Sequence, residues 1–305
     1  MLGNGHIAQI TLHPQRVVSL VPSLTESMFD LGLGSALVGV TDYCVRPDTK
    51  LGHLPRIGGT KNPRVNDILA LRPDLVLANQ EENPRPVIES LQAAGISVWV
   101  TFPKTVHEAI EVLYHLGEFF RSQSAYLIVK TLEQSLEWAQ LAYRTRTSYF
   151  CPIWHETTDN QPWWMTFNRH TYPHDLLSIF GGENVFADRE RRYPLSADLA
   201  PAESAPANPT PADEPAPESD SNPARDTRYP RLPLEEIRAA NPDLIILPNE
   251  PYLFTEEHRQ QLRALLPETP AVQNDRIVLV DGSLLTWHGT RLARAIQELP
   301  GFFGG

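Results

Sequence analysis

The sequence predicts an α/β protein of two lobes, each a mostly parallel sheet flanked by helices, joined by a single long α-helix. Three observations carry that prediction. Short apolar runs alternate with helix-patterned segments on both sides of residue 104, the pattern of strands linked through helical crossovers. Between them, Thr105 to about Arg144 contains no proline and one glycine, Gly117, with apolar residues at helical spacing. Finally, Ile68-Leu-Ala-Leu-Arg-Pro-Asp-Leu-Val-Leu77 aligns in register with Ile237-Arg-Ala-Ala-Asn-Pro-Asp-Leu-Ile-Ile246, 169 residues later, and the same register carries Glu81 onto Glu250. A helix, an Arg/Asn-Pro-Asp turn and a strand, occurring twice, read as a duplicated unit.

Each element has its local reason. Val17-Val-Ser-Leu-Val21 is a first strand, and Pro22 opens a helix in which Ser23 precedes Glu26 by three, a capping-box spacing. Leu24, Met28 and Leu31 continue that helix until Gly32-Leu-Gly34 stops it, and Leu37-Val-Gly-Val40 is the next strand. A helix from Asn66 or Asp67 ends before Pro73, and Leu75-Val-Leu-Ala78 is a buried strand. Val87 to Ala94 is a helix closed by Gly95, and Ile96-Ser-Val-Trp-Val100 a strand. In the Pro-free stretch Val106, Ile110, Leu113 and Leu116 mark one helix. Leu127, Thr131, Leu132, Leu136 and Ala139 mark a second, of about 22 residues and roughly 33 Å. Alternation restarts at Ser148-Tyr-Phe-Cys-Pro-Ile153, and Phe180-Gly181 with Phe186 repeats Leu31-Gly32 with Leu37. The expected division is 1–103 for the N-terminal lobe, 104–146 for the linking helices, and 147–305 for the C-terminal lobe.

Composition narrows the function. With 305 residues, 41% hydrophobic and six tryptophans, the chain can build two cores. Its net charge of −11 repels phosphate backbones and argues against a general nucleic-acid binder. Two cysteines, Cys44 and Cys151, cannot form a disulfide framework or a four-cysteine zinc site. No apolar run reaches the ~20 residues that cross a bilayer. The first residues, Met1-Leu-Gly-Asn-Gly-His6, show neither a basic n-region nor an apolar h-region, so the chain reads as soluble and without an export signal. Between Pro201 and Pro223 seven prolines occur in 23 residues among Ala, Ser, Asp and Glu, and the wider stretch 197–228 carries a net charge of −5. This Pro/Ala/acidic insert reads as a disordered loop within the second lobe.

In open α/β sheets the carboxyl ends of the strands carry the site. In the first lobe those positions hold Ser23, Thr25, Asp42-Tyr43-Cys44, Gly58 to Asn62 with Lys61, and Gln80-Glu81-Glu82-Asn83. In the second they hold Trp154-His-Glu156, Asn249-Glu250-Pro-Tyr252, and Ser283 to Arg291. Two rims facing each other predict an interlobe cleft walled by Trp154, Trp163, Trp164, Tyr252 and Trp287, suited to a large, flat, partly apolar ligand. Several residues carry two readings. Cys44 is a soft metal ligand or a buried thiol. His170 and His174 have helical metal-pair spacing, but Pro173 between them favours a helix start. His288 beside Trp287 faces the ligand or stays structural, and Trp163 and Trp164 face the ligand or the core. Lys61 and Arg291 grip acidic groups of a ligand or pair with Glu81 and Glu82, while Glu26 reads as a cap rather than a base. No P-loop, Gly-x-Gly-x-x-Gly, His-Glu-x-x-His or nucleophile elbow is present, so the sequence offers no catalytic constellation and no resident metal or prosthetic group.

Val18-Ser-Leu-Val-Pro-Ser-Leu-Thr-Glu26 followed by Leu37-Val-Gly-Val40 resembles the opening of the helical-backbone periplasmic binding proteins, which include vitamin B12-binding and ferric-siderophore-binding components of ABC importers. The Arg-Pro-Asp-Leu-Val strand, the lone long helix, Gly181-Gly-Glu-Asn-Val-Phe186 and Trp287-His-Gly-Thr-Arg291 fit the same pattern over about residues 16 to 299. Thr41-Asp-Tyr-Cys-Val-Arg-Pro47, Gly58-Gly-Thr-Lys-Asn-Pro63 and Trp164-Met-Thr-Phe-Asn168 resemble a bacterial subgroup described as B12-binding or metal-chelate receptors. The resemblance implies a monomeric receptor that captures a cobalamin-like corrinoid or another chelate, such as a ferric siderophore or haem, and delivers it to a permease. The candidate ligand contacts, taken from the strand-end positions, the aromatic walls and these motifs, are Ser23, Tyr43, Cys44, Lys61, Asn62, Glu81, Trp154, Trp164, Asn168, Glu250, Tyr252, Trp287, His288 and Arg291. The resemblance also implies a periplasmic or cell-envelope location, which the missing signal sets against a cytoplasmic carrier or sensor. In the B12 binder each lobe docks through a surface glutamate. Here the first such position is Arg85, leaving Glu89, with Glu256 or Glu257, as substitutes. An enzyme using Glu81, Glu250, Lys61 or Cys44 in the cleft is the remaining alternative.

Overall fold

The computed structural model describes residues 13–142, 146–158, 160–193, 195–199 and 225–303. The N-terminal stretch Met1–His6 and most of the acidic insert (200–224) lie outside the described residues. The chain divides into two units: Met1–Ala139 with Trp287–Gln297, and Gln140–Thr286 with Glu298–Gly305. Residues 104–139, expected among separate linking helices, thus fall in the first unit, as does the Trp287–Gln297 segment expected in the C-terminal lobe.

In the first unit, β1 (Val17–Ser19), β2 (Leu37–Val40), β3 (Leu75–Asn79) and β4 (Val98–Thr101) form a parallel sheet in the order β2-β1-β3-β4. Helices α1 (Pro22–Asp30), α2 (Asp48–Leu51), α3 (Val65–Ala70), α4 (Arg85–Ala93) and α5 (Val106–Phe119) intervene or follow. In the second unit β5 (Thr147–Phe150), β8 (Gly182–Asn184), β10 (Leu244–Pro248) and β11 (Ile277–Val280) form a parallel sheet in the order β11-β10-β5-β8. Read from the other edge, that is the order of the first sheet. The α/β duplication is therefore one of topology as well as of sequence.

The repeat works the same way twice. Arg72 and Asn241, one residue before each proline, both adopt φ +48°. The aspartate that follows reaches back to the start of the unit's first strand: Asp74 accepts the backbone N–H groups of Gln15 and Arg16, and Asp243 accepts both N–H and O–H of Ser148. Gly32 and Gly181 end their helices at φ +75° and +89°, a left-handed closure that favours glycine.

The linking helix α6 (Gln123–Ala142) has 20 residues, and the unit boundary falls inside it. Its buried stripe is Ala125, Val129, Leu132, Leu136 and Ala139, whereas Leu127, expected on that stripe, is 55% exposed. The difference is one of phase, since a 3.6-residue period seeded at Ala125 puts Leu127 on the far side. Helix α5 opens with a capping box at Thr105 and Glu108. At α1 the expected box does not form: Pro22 takes the first helical position, Val21 becomes the N-cap, and Ser23 and Glu26 lie inside the helix.

A second difference concerns Trp154–Glu156, expected as a strand-end loop. They belong to β6 (Trp154–Thr158), which pairs antiparallel with β7 (Gln161–Met165), itself paired antiparallel with β9 (Arg231–Pro233). Both ends of the expected 197–228 insert are ordered: Asp198 is buried in a 3₁₀ turn, Leu195–Leu199, and Arg228 pairs with Asp226. Cys44 and Cys151 are free and buried. No helix among the described residues is long and apolar enough to cross a membrane.

Candidate ligand-binding residues of each unit

In the first unit an asparagine pair organises the strand-end loops. Asn79, the last residue of β3, accepts the N–H groups of Glu81 and Glu82 at 2.8 and 3.3 Å through Oδ1 and presents Nδ2 to His288 Nε2 at 3.3 Å. Asn83 Oδ1 accepts Asn79 N–H at 2.8 Å, while its Nδ2 donates to the carbonyls of Leu20 and Thr60. One cluster thus ties together the ends of β1 and β3, the Gly58–Pro63 loop and the Trp287–Arg291 segment. Lys61 donates to the Glu81 carbonyl. Asn62 sits on the exposed tip, packed against Gly58 and Gly59.

The Trp287–Arg291 segment sits on α1. Arg291 donates to Glu26 Oε1 at 2.8 Å with both side chains nearly buried, so Glu26 pairs with a cation and is not a cap. Burial raises the Glu26 carboxyl above its usual value, and the Arg291 charge pulls it back only in part. Ser27 Oγ accepts Thr290 N–H at 3.1 Å, and Asp30 accepts the Thr290 hydroxyl at 2.7 Å. This approach requires Gly289: its φ is +119°, and a Cβ there would lie 2.4 Å from Ser27 Oγ. His288 is enclosed, and burial holds its pKa down to about 4, so the ring is neutral at pH 7 and its Nε2 accepts from Asn79.

Beside this segment an open cavity of about 410 Å³ is lined by Glu26, Val45, Arg46, Pro47, Asp48 and Arg291. The guanidinium groups of Arg46 and Arg291 stand 5.8 and 5.7 Å from the Trp287 ring centroid, within cation–π range. Tyr43, at 63% exposed, and Val45 extend the apolar surface nearby. Ser23 is buried in the first turn of α1, and its hydroxyl has no hydrogen-bond partner among the described residues. Cys44 is enclosed: the hydroxyls of Thr25 and Thr41 each lie 3.1 Å from its sulfur, and burial pushes the thiol pKa up. A neutral, enclosed thiol packs as a small apolar group and presents no thiolate to a ligand.

In the second unit the aromatic residues separate into two groups. Trp154 is 41% exposed on β6 and meets Tyr252 edge to face at 5.5 Å. His258 Nδ1 accepts the Thr255 N–H at 3.1 Å, capping α9 (Glu256–Leu265), which leaves Nε2–H to donate to the Tyr252 hydroxyl oxygen at 3.2 Å. His155 stacks on Trp164 at 4.8 Å, and burial lowers its pKa, which favours the neutral ring. Trp164 itself is 1% exposed within the core cluster of Phe150, Leu232 and Phe254, and Trp163 is also buried. Neither indole offers a face to a ligand: the two alternate across β7, Trp164 packing into the core and under His155 while Arg231 covers Trp163. Asn168 is likewise structural: its Nδ2 donates to the carbonyls of Arg189 and Thr227. Glu250 Oε1 accepts the Thr286 hydroxyl at 3.3 Å, and Gly282 packs closely against Glu250. His170 and His174 form no metal-ligand group, and none of three or more His, Cys, Asp or Glu occurs among the described residues.

Glu89 lies exposed on α4, paired with Arg85 at 2.7 Å. Glu256 and Glu257 open α9, where Glu256 is paired with Arg259 and bonded by Gln260. Three contributors were not singled out from the sequence: Arg46, Asn79 and His258. Arg46 lay inside the Thr41–Pro47 motif, and His258 stands three residues after Thr255 at the N3 position of a helix, which was a usable signal.

Comparisons with known proteins agree with this architecture. A vitamin B12-binding protein of Vibrio cholerae is 23% identical over 291 residues, covering 93% of this chain and 87% of that protein. A vitamin B12-binding protein of Yersinia pestis is 31% identical over 194 residues, 62% of this chain and 67% of that protein. The crystal structure of the periplasmic vitamin B12-binding protein of Vibrio cholerae superposes with a TM-score of 0.69 at 21% identity, covering 96% of this chain and 97% of that one. The periplasmic heme-binding protein of Roseiflexus sp. RS-1 gives 0.69 at 22% identity over 95% and 97%. These likenesses establish the shared two-lobe fold. The family described as periplasmic binding protein matches residues 17–284, most of the chain, and the chain belongs to that family.

Proposed function

We propose that this chain is the substrate-binding component of an ABC importer and that its cargo is a corrinoid or another metal chelate such as haem. Members of the family are binding proteins rather than enzymes, and its relatives named for vitamin B12 and heme carry those molecules as cargo, not as prosthetic groups. The observation that carries the reading is the Trp287 indole flanked by Arg46 and Arg291 beside the open cavity of the first unit. An indole with guanidinium groups over its ring, beside an open cavity, suits a ring system fringed by polar and acidic groups. Exposed Trp154, meeting the half-buried Tyr252 edge to face, gives the second unit an aromatic pair. Tyr43, Lys61, Asn62, Glu81 and Glu250 are assigned to the polar surround. Glu89, with Glu256 or Glu257, is assigned to permease docking; its exposed arginine pairs are weak and cost little to exchange. A periplasmic, monomeric receptor is the setting this role requires.

The test is a tryptophan-fluorescence titration of the purified chain with cyanocobalamin, cobinamide, haem and two ferric siderophores, corrected for inner-filter absorption. Saturable quenching by one class, weakened at least about tenfold in Trp287→Ala, is expected for a residue that supplies a stacking face. No saturable response to any of them, or unchanged affinity in Trp287→Ala, would overturn the assignment.

A further inference from the structure

Asp198 is fully buried in the second unit, outside every residue assigned to ligand above. Arg189 donates to its Oδ1 at 3.0 Å and is shared with Glu236 at 2.7 Å. The backbone N–H groups of Arg192 and Arg231 donate to Asp198 at 3.0 and 2.9 Å. The carboxylate thereby accepts three hydrogen bonds, and the other guanidinium groups stand farther off: Arg231 Nε is 3.5 Å and Arg191 Nε 3.7 Å from Asp198 Oδ2, and Arg192 Nη2 is 3.9 Å from Glu236. These ion pairs are longer than the two that Arg189 makes. Among the described residues four guanidinium groups surround Asp198 and Glu236, and Asp226 acts on Arg191 as well, so guanidinium groups outnumber carboxylates in the cluster.

The unsatisfied donors are specific. Nε of Arg191, Nε of Arg192, and both Nε and Nη2 of Arg231 are buried with no hydrogen-bond partner among the described residues. Nε–H and Nη2–H form one edge of a guanidinium, the fork that takes two oxygens of a single oxyanion. Arg231 is oriented by its position over the Trp163 ring at 5.3 Å, so the fork is held rather than free to swing. Buried donors without acceptors carry a desolvation cost that an oxyanion would offset. Burial and the neighbouring guanidinium groups lower the Arg192 and Arg231 pKa values, as expected where positive charge is under-compensated.

We propose that Arg191, Arg192 and Arg231 form an oxyanion-binding site for phosphate or sulfate, with the Nε/Nη2 edge of Arg231 as its bidentate clamp. The site is independent of the cargo surface, because it shares no residue with it.

The experiment is isothermal titration of the full chain with inorganic phosphate and with sulfate at ionic strength held constant by chloride, alongside thermal scans in the same buffers. A saturable isotherm and a rise in Tm not given by matched chloride are expected. Arg231→Lys keeps the charge but loses the fork, and is expected to weaken binding at least about tenfold. Arg191→Gln, checked for folding by circular dichroism, is a second variant expected to weaken it. Equal Tm values in phosphate, sulfate and chloride, or phosphate binding by folded Arg231→Lys as tight as in the parent, would overturn the site.

Discussion

His288 makes the first unit acid-sensitive by an amount that can be worked out. Its enclosed ring has a pKa held down from 6.5 to about 4, because burial penalises the imidazolium. In the unfolded chain the same ring takes up a proton near 6.5, so lowering the pH favours unfolding. The stability contributed by the neutral ring is fully present above about pH 6.5 and is lost as the pH falls toward 4. At 1.36 kcal/mol per unit, the shift is worth about 3 kcal/mol. For a unit of this size, where 1 kcal/mol moves Tm by about 2–4 °C, that is about 6–12 °C. The perturbation is His288→Gln, which keeps an acceptor for Asn79 Nδ2 and does not titrate. Glu26, His155 and His174 titrate in both proteins, so the difference between their Tm losses from pH 7 to pH 4 isolates His288. Scanning calorimetry is expected to show the parent losing about 6–12 °C more than the variant. Equal losses would refute the buried neutral ring.

Three further outcomes follow from the same packing. Cys44 and Cys151, buried thiols whose pKa values burial raises, are expected to resist iodoacetamide at pH 8 and to react fully in urea. Mass spectrometry that finds Cys44 alkylated in the folded chain would show that its loop opens. Gly289→Ala places a Cβ against Ser27 at φ +119°, and a strain of about 1–3 kcal/mol is expected to lower Tm by several degrees. An unchanged Tm would contradict the close approach of that segment to α1. Asp198→Ala removes the carboxylate that four arginines surround, and about 3–5 kcal/mol of destabilisation is expected in urea unfolding. A loss below about 1 kcal/mol would mean that Asp198 is not the anchor of this cluster.

Much of the α/β architecture was legible because its signals are local. The apolar strands, the glycine stops at Gly32 and Gly181 and the two Arg/Asn-Pro-Asp turns depend on residues within one helix turn or one strand of each other. The β6–β7 hairpin was missed because Trp154-His-Glu-Thr-Thr158 alternates only weakly, and the strand that completes its sheet, β9, begins at Arg231. The Thr-Thr-Asp-Asn sequence before Gln161, with Asn160 at φ +60°, was the available turn signal.

Sequence by itself determined the alternation, the duplication, the long helix and the family resemblance, since each is written in periodicity or in short ordered motifs. Only the tertiary structure decided the roles of individual side chains. Glu26 reads as a cap until Arg291, 265 residues away, is brought within 2.8 Å of it. Trp164 and Trp154 look equally suited to a ligand, yet the pleat of a three-stranded sheet buries one and exposes the other. Cys44 looks like a ligand donor until Thr25 and Thr41 close over it. Partner, burial and charge state arise from contacts distant in sequence, and no local pattern encodes them.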